Sequence, residues 1–225
     1  MSTLALDIEV EAGLRVSGLL QVPAQPRACY VLAHGAGAGM AHPFMAAVAQ
    51  GLVERGIACL RYQFPYMERG SRRPDVPRLA HATVRAAVAE AMRQLPGLAL
   101  FAGGKSFGGR MTSQAQAQSP LPSVRGLVFL GFPLHPAGKP SDERAAHLSD
   151  VTVPMLFLQG TRDELARLDR LQPLVERLGS YATLHLFEHA DHSFHVLARS
   201  GRNDAQVMDE LLETMASWID TVLEG

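Results

Sequence analysis

Apolar and polar residues alternate along the first part of the chain. The alternation runs through Leu4–Val10, and it resumes after Gly13 in Leu14–Val22. A period of two is typical of strands that bury one face, so the two segments predict an antiparallel pair near the N-terminus. Pro23 and Pro26 mark its end, because proline cannot donate the backbone hydrogen bond that a strand ladder needs.

The rest of the chain contains short apolar segments that do not alternate, as is typical of strands buried on both faces. We predict such strands at 29–33, 57–62, 98–102, 124–130, 153–159 and 182–187. Apolar residues at helical spacing predict helices between them, at 43–55, 79–95, 107–118, 165–178 and 205–223.

Strands that alternate with helices in this way indicate an α/β protein with a mostly parallel, twisted sheet and helices on both faces. No linker, repeat or low-complexity segment interrupts the pattern, so we expect one domain over residues 1–225. In parallel sheets, reactive groups lie in loops beyond the carboxyl ends of the strands. We therefore expect the reactive side chains of this protein in those loops.

A candidate nucleophile follows the predicted strand at 98–102, in the segment Gly104-Lys105-Ser106-Phe107-Gly108. A G-x-S-x-G motif between a strand and a helix is typical of a nucleophile elbow, which makes Ser106 the candidate. Gly104-Lys105-Ser106 also matches the end of a P-loop. That motif requires glycine where this chain has Ala99, and it requires a flexible loop where a strand is predicted. A glycine-rich turn with an incidental serine is the remaining alternative.

A serine hydroxyl needs a base that is oriented by an acid, and in this fold both follow the nucleophile in the chain. Asp163 lies just past the predicted strand that ends at Gln159, and Glu164 is the neighbouring alternative. His192 lies in the loop after the strand at 182–187 and is the candidate base. His189 and His195 flank it at a spacing of three.

The three histidines also raise the possibility of a metal site. Structural zinc normally has four ligands that often include thiolates, and both cysteines lie elsewhere. We therefore expect no metal.

A second glycine-rich loop, His34–Gly39, follows the predicted strand at 29–33. Acyl transfer requires backbone N–H groups that stabilise a developing oxyanion. The residue after the nucleophile, Phe107, is expected to supply one donor. Ala36 is the first choice for the second donor and Gly37 the alternative. The glycine spacing differs from the G-x-G-x-x-G of dinucleotide-binding loops, so no such cofactor is expected.

These segments together resemble the α/β-hydrolase superfamily, and more narrowly its small, dienelactone-hydrolase-like members. The resemblance covers nearly the whole chain, and the matching segments are 32–37, 64–66, 104–109, 131–136, 159–163 and 190–193. It implies that Ser106, Asp163 and His192 are nucleophile, acid and base. Dienelactone hydrolases proper use a cysteine where this chain has Ser106, so that specific activity is not implied.

Only about twenty residues, Gly131–Thr152, separate two strands between which related hydrolases often insert a lid. We therefore expect no cap domain and an open site. Phe64, Tyr66 and Phe132 are the predicted substrate-binding residues. Four cationic residues are further candidates for binding an anionic substrate, against the alternative of a solvated loop: Arg69, Arg72, Arg73 and Lys105.

Composition and charge narrow the function classes. Hydrophobic residues make up 47% and charged residues 19%, as in ordinary globular proteins, and the net charge is -1. We expect neither nucleic acid nor a membrane as partner, because no strong field would attract them. Cys29 and Cys59 lie in apolar segments, and the N-terminus lacks the pattern of a signal peptide. The expected protein is a cytoplasmic serine hydrolase with a small acyl substrate; a hydrolase-fold binding or scaffolding protein is the alternative.

Overall fold

The computed structural model describes residues 1–225 and contains an eight-stranded sheet with strand order β1-β2-β4-β3-β5-β6-β7-β8. β1 and β2 are antiparallel to each other, and β2 is antiparallel to β4. All pairs from β4 to β8 are parallel. The strands are β1 (Ser2–Glu11), β2 (Leu14–Val22), β3 (Ala28–Ala33), β4 (Ile57–Tyr62), β5 (Leu100–Lys105), β6 (Val124–Leu130), β7 (Met155–Gly160) and β8 (Ala182–Phe187).

Helices cover both faces of this sheet. They are α1 (Pro43–Glu54), α2 (Pro65–Glu68), α3 (Pro77–Gln94), α4 (Phe107–Gln118), α5 (Leu168–Leu178) and α6 (Asp204–Glu224). Three 3₁₀ helices, Glu143–Asp150, Gly179–Tyr181 and Ala198–Ser200, lie in the connections. None of the helices is long and apolar enough to span a membrane.

Two hydrophobic cores hold these layers together. One lies between the sheet and helices α1 and α6, and Leu52 and Leu211 are fully buried in it. The other lies between the opposite face and helices α3, α4 and α5, with Val84, Met111 and Leu171 buried there. Burial of one such side chain contributes about 1.5–3 kcal/mol to the free energy of folding. The central strands β3 and β4 are buried along their whole length. Their sequences are apolar throughout except at Arg61 of β4, whose guanidinium donates to the Met40 carbonyl and to the Gln21 side chain.

The predicted fold class is confirmed: a mostly parallel sheet with an antiparallel pair at the N-terminus and helices on both faces. Several strand bounds differ from the predicted ones by one to three residues, and the difference at β5 bears on the site. We predict a strand at 98–102, but β5 begins at Leu100 and continues through the glycines to Lys105. Gly103 pairs with Val128 of β6 and Gly104 pairs with Ala33 of β3. Since this backbone is paired in the sheet, it does not form a P-loop.

Between β4 and α3 the chain contains one element that the sequence pattern does not predict, the short helix α2. Its four residues are too few to show a periodic pattern. Tertiary contacts fix it instead: the backbone N–H of Tyr66 donates to the Asp75 carboxylate at 2.9 Å, and the Glu68 carboxylate accepts from Ser17 N–H at 2.6 Å.

The absence of a cap domain is also confirmed. Between β6 and β7 the chain forms a loop and the 3₁₀ helix Glu143–Asp150, which packs on α4. The carboxyl ends of the central strands are left without a domain above them, which makes them accessible to a ligand.

Candidate active site

Ser106 lies at the junction of β5 and α4 in a backbone conformation that L-residues rarely adopt, with φ 49° and ψ −115°. Glycine flanks it because other backbone approaches closely on both sides. A Cβ at Gly104 would lie 2.1 Å from the carbonyl oxygen of Ala33, and one at Gly108 would lie 2.6 Å from the same oxygen. The turn therefore holds the serine side chain above the edge of the sheet, as the predicted elbow requires.

His192 connects Ser106 to Asp163 through two hydrogen bonds. The Ser106 hydroxyl lies 2.9 Å from His192 Nε2, and His192 Nδ1 lies 2.6 Å from Asp163 Oδ2. An ionised carboxylate only accepts hydrogen bonds, so Nδ1 carries a proton and Nε2 is left to accept from the serine. The three residues come from the loops after β5, β7 and β8, which meet at one edge of the sheet.

The Asp163 side chain is fully buried, and its position is fixed by further donors. Gln159 Nε2 donates to Oδ2 at 2.5 Å, and the backbone N–H of Leu165 donates to Oδ1 at 2.8 Å. These bonds offset the cost of burying a charge. Glu164, the neighbouring alternative, is exposed, and its side chain makes no hydrogen bond.

The two flanking histidines point elsewhere. His189 is exposed, and its ring lies 3.7 Å from the Glu188 carboxylate. His195 Nδ1 lies 2.7 Å from Asp204, and this carboxylate raises the pKa of His195. The protein contains no group of three or more His, Cys, Asp or Glu side chains arranged to hold a metal ion.

Two backbone N–H groups beside Ser106 have no protein acceptor. Phe107 is the first residue of α4, where an N–H has no partner within the helix. Ala36 N–H makes no hydrogen bond, whereas Gly37 N–H donates to the Tyr66 hydroxyl at 3.3 Å. The geometry thus favours Ala36 over Gly37 as the second donor.

His34 holds this loop in place, a role that sequence reasoning missed. Its Nδ1–H donates to the Gly35 carbonyl at 2.8 Å, and its Nε2 accepts from Phe64 N–H at 3.0 Å. The ring is fully buried, and burial lowers the pKa of His34, which keeps Nε2 free to accept. Its position directly after β3 was the only sequence signal.

An open cleft of about 420 Å³ leads to Ser106. It is lined mainly by Ala36, His42, Phe44, Met45, Leu165 and His192. The three predicted substrate-binding side chains, Phe64, Tyr66 and Phe132, are fully buried and do not line it. The Phe64 ring packs edge-on against Phe107 at 5.3 Å and against His34 at 5.0 Å. These rings support the loops of the site from below.

Lys105 is the cation of the predicted set that reaches the cleft. Its ammonium donates to the His192 carbonyl oxygen at 2.5 Å and lies 5.5 Å from the centre of the Phe194 ring. Burial lowers the pKa of Lys105 to about 8, although the charges of Asp163 and Asp191 oppose this shift. Arg69 pairs with Asp75 at 2.7 Å, and Arg72 and Arg73 are exposed on the loop. Lys105 thus holds in place the loop after β8 that carries His192.

The family follows from this fold and from the sequence of the chain. The family model of the alpha/beta hydrolase domain matches residues 26–220, and the chain belongs to this family.

Solved structures show the same fold at low sequence identity. A lidless α/β serine hydrolase from Xanthomonas campestris is 21% identical with a TM-score of 0.75, covering 97% of this chain and 95% of its own. A dienelactone hydrolase from Anabaena variabilis is 20% identical with a TM-score of 0.79, covering 98% and 97%. The esterase domain of a Rhodothermus marinus protein is 17% identical with a TM-score of 0.70, covering 97% and 98%.

We expect the variant Lys105→Met to change how stability depends on pH. Between about pH 8 and 10.5 the folded protein releases the Lys105 proton before the unfolded chain does, so this group makes stability rise with pH. The free energy of unfolding of the wild type, relative to Lys105→Met, should therefore increase across this range. Urea titrations at several pH values measure it.

Lys139, the other lysine of the chain, is exposed and offers a matched control. Lys139→Met removes the same charge, but from the surface. A constant difference in unfolding free energy between wild type and Lys105→Met would contradict the lowered pKa.

Proposed function

We propose that this chain is a serine hydrolase, in a single domain of residues 1–225, that cleaves a small ester, thioester or related acyl compound. One observation carries the proposal: the hydrogen-bonded series Asp163–His192–Ser106 stands beside two N–H groups without acceptors. These are the parts that acyl transfer requires, namely an activated nucleophile, an oriented base and donors for an oxyanion.

In the first half of the reaction, Ser106 Oγ attacks the carbonyl carbon and its proton passes to His192 Nε2. The Asp163 carboxylate holds Nδ1–H and stabilises the imidazolium. The negative charge on the carbonyl oxygen is stabilised by the N–H groups of Ala36 and Phe107. Such a donor is typically worth about 10²–10³ in kcat. His192 then gives its proton to the leaving oxygen or sulfur, and the acyl-enzyme remains.

In the second half, water replaces the leaving group. His192 takes a proton from the water, whose oxygen attacks the acyl carbon, and the same two N–H groups stabilise the second oxyanion. Breakdown returns the proton to Ser106 and releases the acid. No step needs a metal or an organic cofactor.

A binding or scaffolding role is the alternative, since the fold alone does not establish activity. A buried acid, a base and a serine in one hydrogen-bonded series favour catalysis. A fluorophosphonate probe separates the two, because it reacts covalently only with an activated serine.

We expect Ser106→Ala to remove ester hydrolysis and fluorophosphonate labelling together while the protein stays folded. The substitution removes only the nucleophilic hydroxyl group and changes little else in the structure. Labelling is read on a gel and folding by circular dichroism. Ser193→Ala is the matched control, since this exposed serine borders the same cleft. Undiminished hydrolysis by pure Ser106→Ala would place the nucleophile elsewhere.

We expect Asp163→Asn to lower kcat by about 10⁴ without unfolding the protein, because the imidazole loses its orienting acceptor. Glu164→Gln is the control, and its kcat should stay near that of the wild type, since Glu164 is exposed. Steady-state measurements of kcat for both variants show which of the two carboxylates is the acid. A collapse of activity in Glu164→Gln alone would assign the acid to the neighbouring position.

We expect short acyl chains, of about two to six carbons, to be the best neutral substrates. Burial of a methylene contributes about 0.8 kcal/mol, and a site without a cap leaves distal carbons in water. The measurement is kcat/KM for p-nitrophenyl esters from acetate to palmitate. A steady rise toward palmitate would reveal a deep acyl pocket and contradict this expectation.

A further inference from the structure

Ser106 borders a second cleft, of about 400 Å³, on the other side of the nucleophile. The two clefts share Ala36, Ser106 and Leu165, so they meet at the reacting centre. His192 lines only the first cleft. The second is lined instead by Phe107, Pro133, Asp75 and two arginines, Arg110 and Arg144.

Neither arginine has a partner within the protein. Arg110 makes no side-chain hydrogen bond or ion pair, and its Nε is buried without an acceptor. Arg144 is partly buried in the 3₁₀ helix Glu143–Asp150 and likewise has no hydrogen bond or ion pair. The two charges are close enough that Arg144 adds to burial in lowering the pKa of Arg110.

The other ionisable groups at this cleft do not balance the arginines. Asp75 is occupied, because its carboxylate pairs with Arg69 at 2.7 Å and accepts from Tyr66 N–H at 2.9 Å. His147 of the 3₁₀ helix does not line the cleft but is near enough to feel the charge of Arg110, and its ring lies 2.7 Å from the Ser113 hydroxyl. Burial and the charge of Arg110 lower the pKa of His147 to about 4, so its ring is neutral at pH 7.

Two guanidinium groups that line one cleft, neither with an acid partner of its own, repel each other. A carboxylate that enters the cleft relieves this repulsion, because its two oxygens match the planar donor fork of arginine. We propose that Arg110 and Arg144 bind a free carboxylate of the substrate, which makes the substrate a monoester of a short dicarboxylic acid. This inference rests on the proposed hydrolase function.

The position of His192 decides which part of the substrate carries the carboxylate. The imidazole must deliver its proton to the leaving atom, so the leaving group occupies the first cleft, which His192 lines. The acyl chain then occupies the second cleft and points its far end toward the arginines. Water adds to the ester carbonyl, and the products are the dicarboxylic acid and the alcohol.

Two esters with the same leaving group and the same six-carbon chain test the proposal: p-nitrophenyl hexanoate and the p-nitrophenyl monoester of adipic acid. We expect wild-type kcat/KM to be about 10- to 100-fold higher for the adipate, the range for hydrogen bonds to a charged group. Arg110→Met and Arg144→Met should each lower the adipate-to-hexanoate ratio, chiefly through KM. The double variant should bring the ratio to about one or below.

Arg125→Met is the matched control, because Arg125 is an exposed arginine without partners near the opposite end of β6. Its ratio should equal that of the wild type. The carboxylate site is overturned if the wild type hydrolyses the hexanoate with no preference for the adipate. It is overturned as well if the adipate-to-hexanoate ratio is equal in the wild type and both cleft variants. Either result leaves the proposed hydrolase function unaffected. Failure of the wild type to hydrolyse either ester or to react with fluorophosphonate overturns the hydrolase itself, and the carboxylate site with it.

Discussion

The backbone conformation of Ser106 is the constraint on which the site depends. Sheet and helix hold it from both sides, because Ser106 N–H donates to the Leu130 carbonyl at 3.2 Å and Arg110 N–H donates to the Ser106 carbonyl at 3.1 Å. The close packing of β3 against this turn leaves no space for a side chain at Gly104. One strained conformation thus exposes the hydroxyl at the start of α4, where the Phe107 N–H has no partner, so the proposed nucleophile and the proposed oxyanion donor lie together.

Buried polar side chains fix the loops around this turn. Gln159 joins two of them, since its amide oxygen accepts from Phe132 N–H at 2.9 Å while its amide nitrogen donates to Asp163. His34 and Lys105 do the same for the loops after β3 and β8. Breaking such a bond would leave a buried polar group without a partner, which costs free energy. These bonds therefore keep the loops of the site in fixed positions.

The charge around the nucleophile differs from the charge of the whole chain. The formal net charge is -1, yet Lys105, Arg110 and Arg144 border the two clefts at Ser106, and the two arginines have no acid partner. Positive potential near a reacting carbonyl favours the negative charge that develops on its oxygen. Local arrangement, and not composition, therefore sets the electrostatics of this site.

The sequence by itself determined the order of strands and helices, the absence of a cap and the elbow motif, because periodicity and motifs depend on residues close together in the chain. It also singled out Asp163 and His192 by their places after strands. Only the tertiary structure decided that Phe64 lies beneath the site and not in it, and that Gly37 N–H is already used. It alone brought Arg110 and Arg144 to one cleft, because burial and pairing arise from packing between distant segments, which no local pattern records.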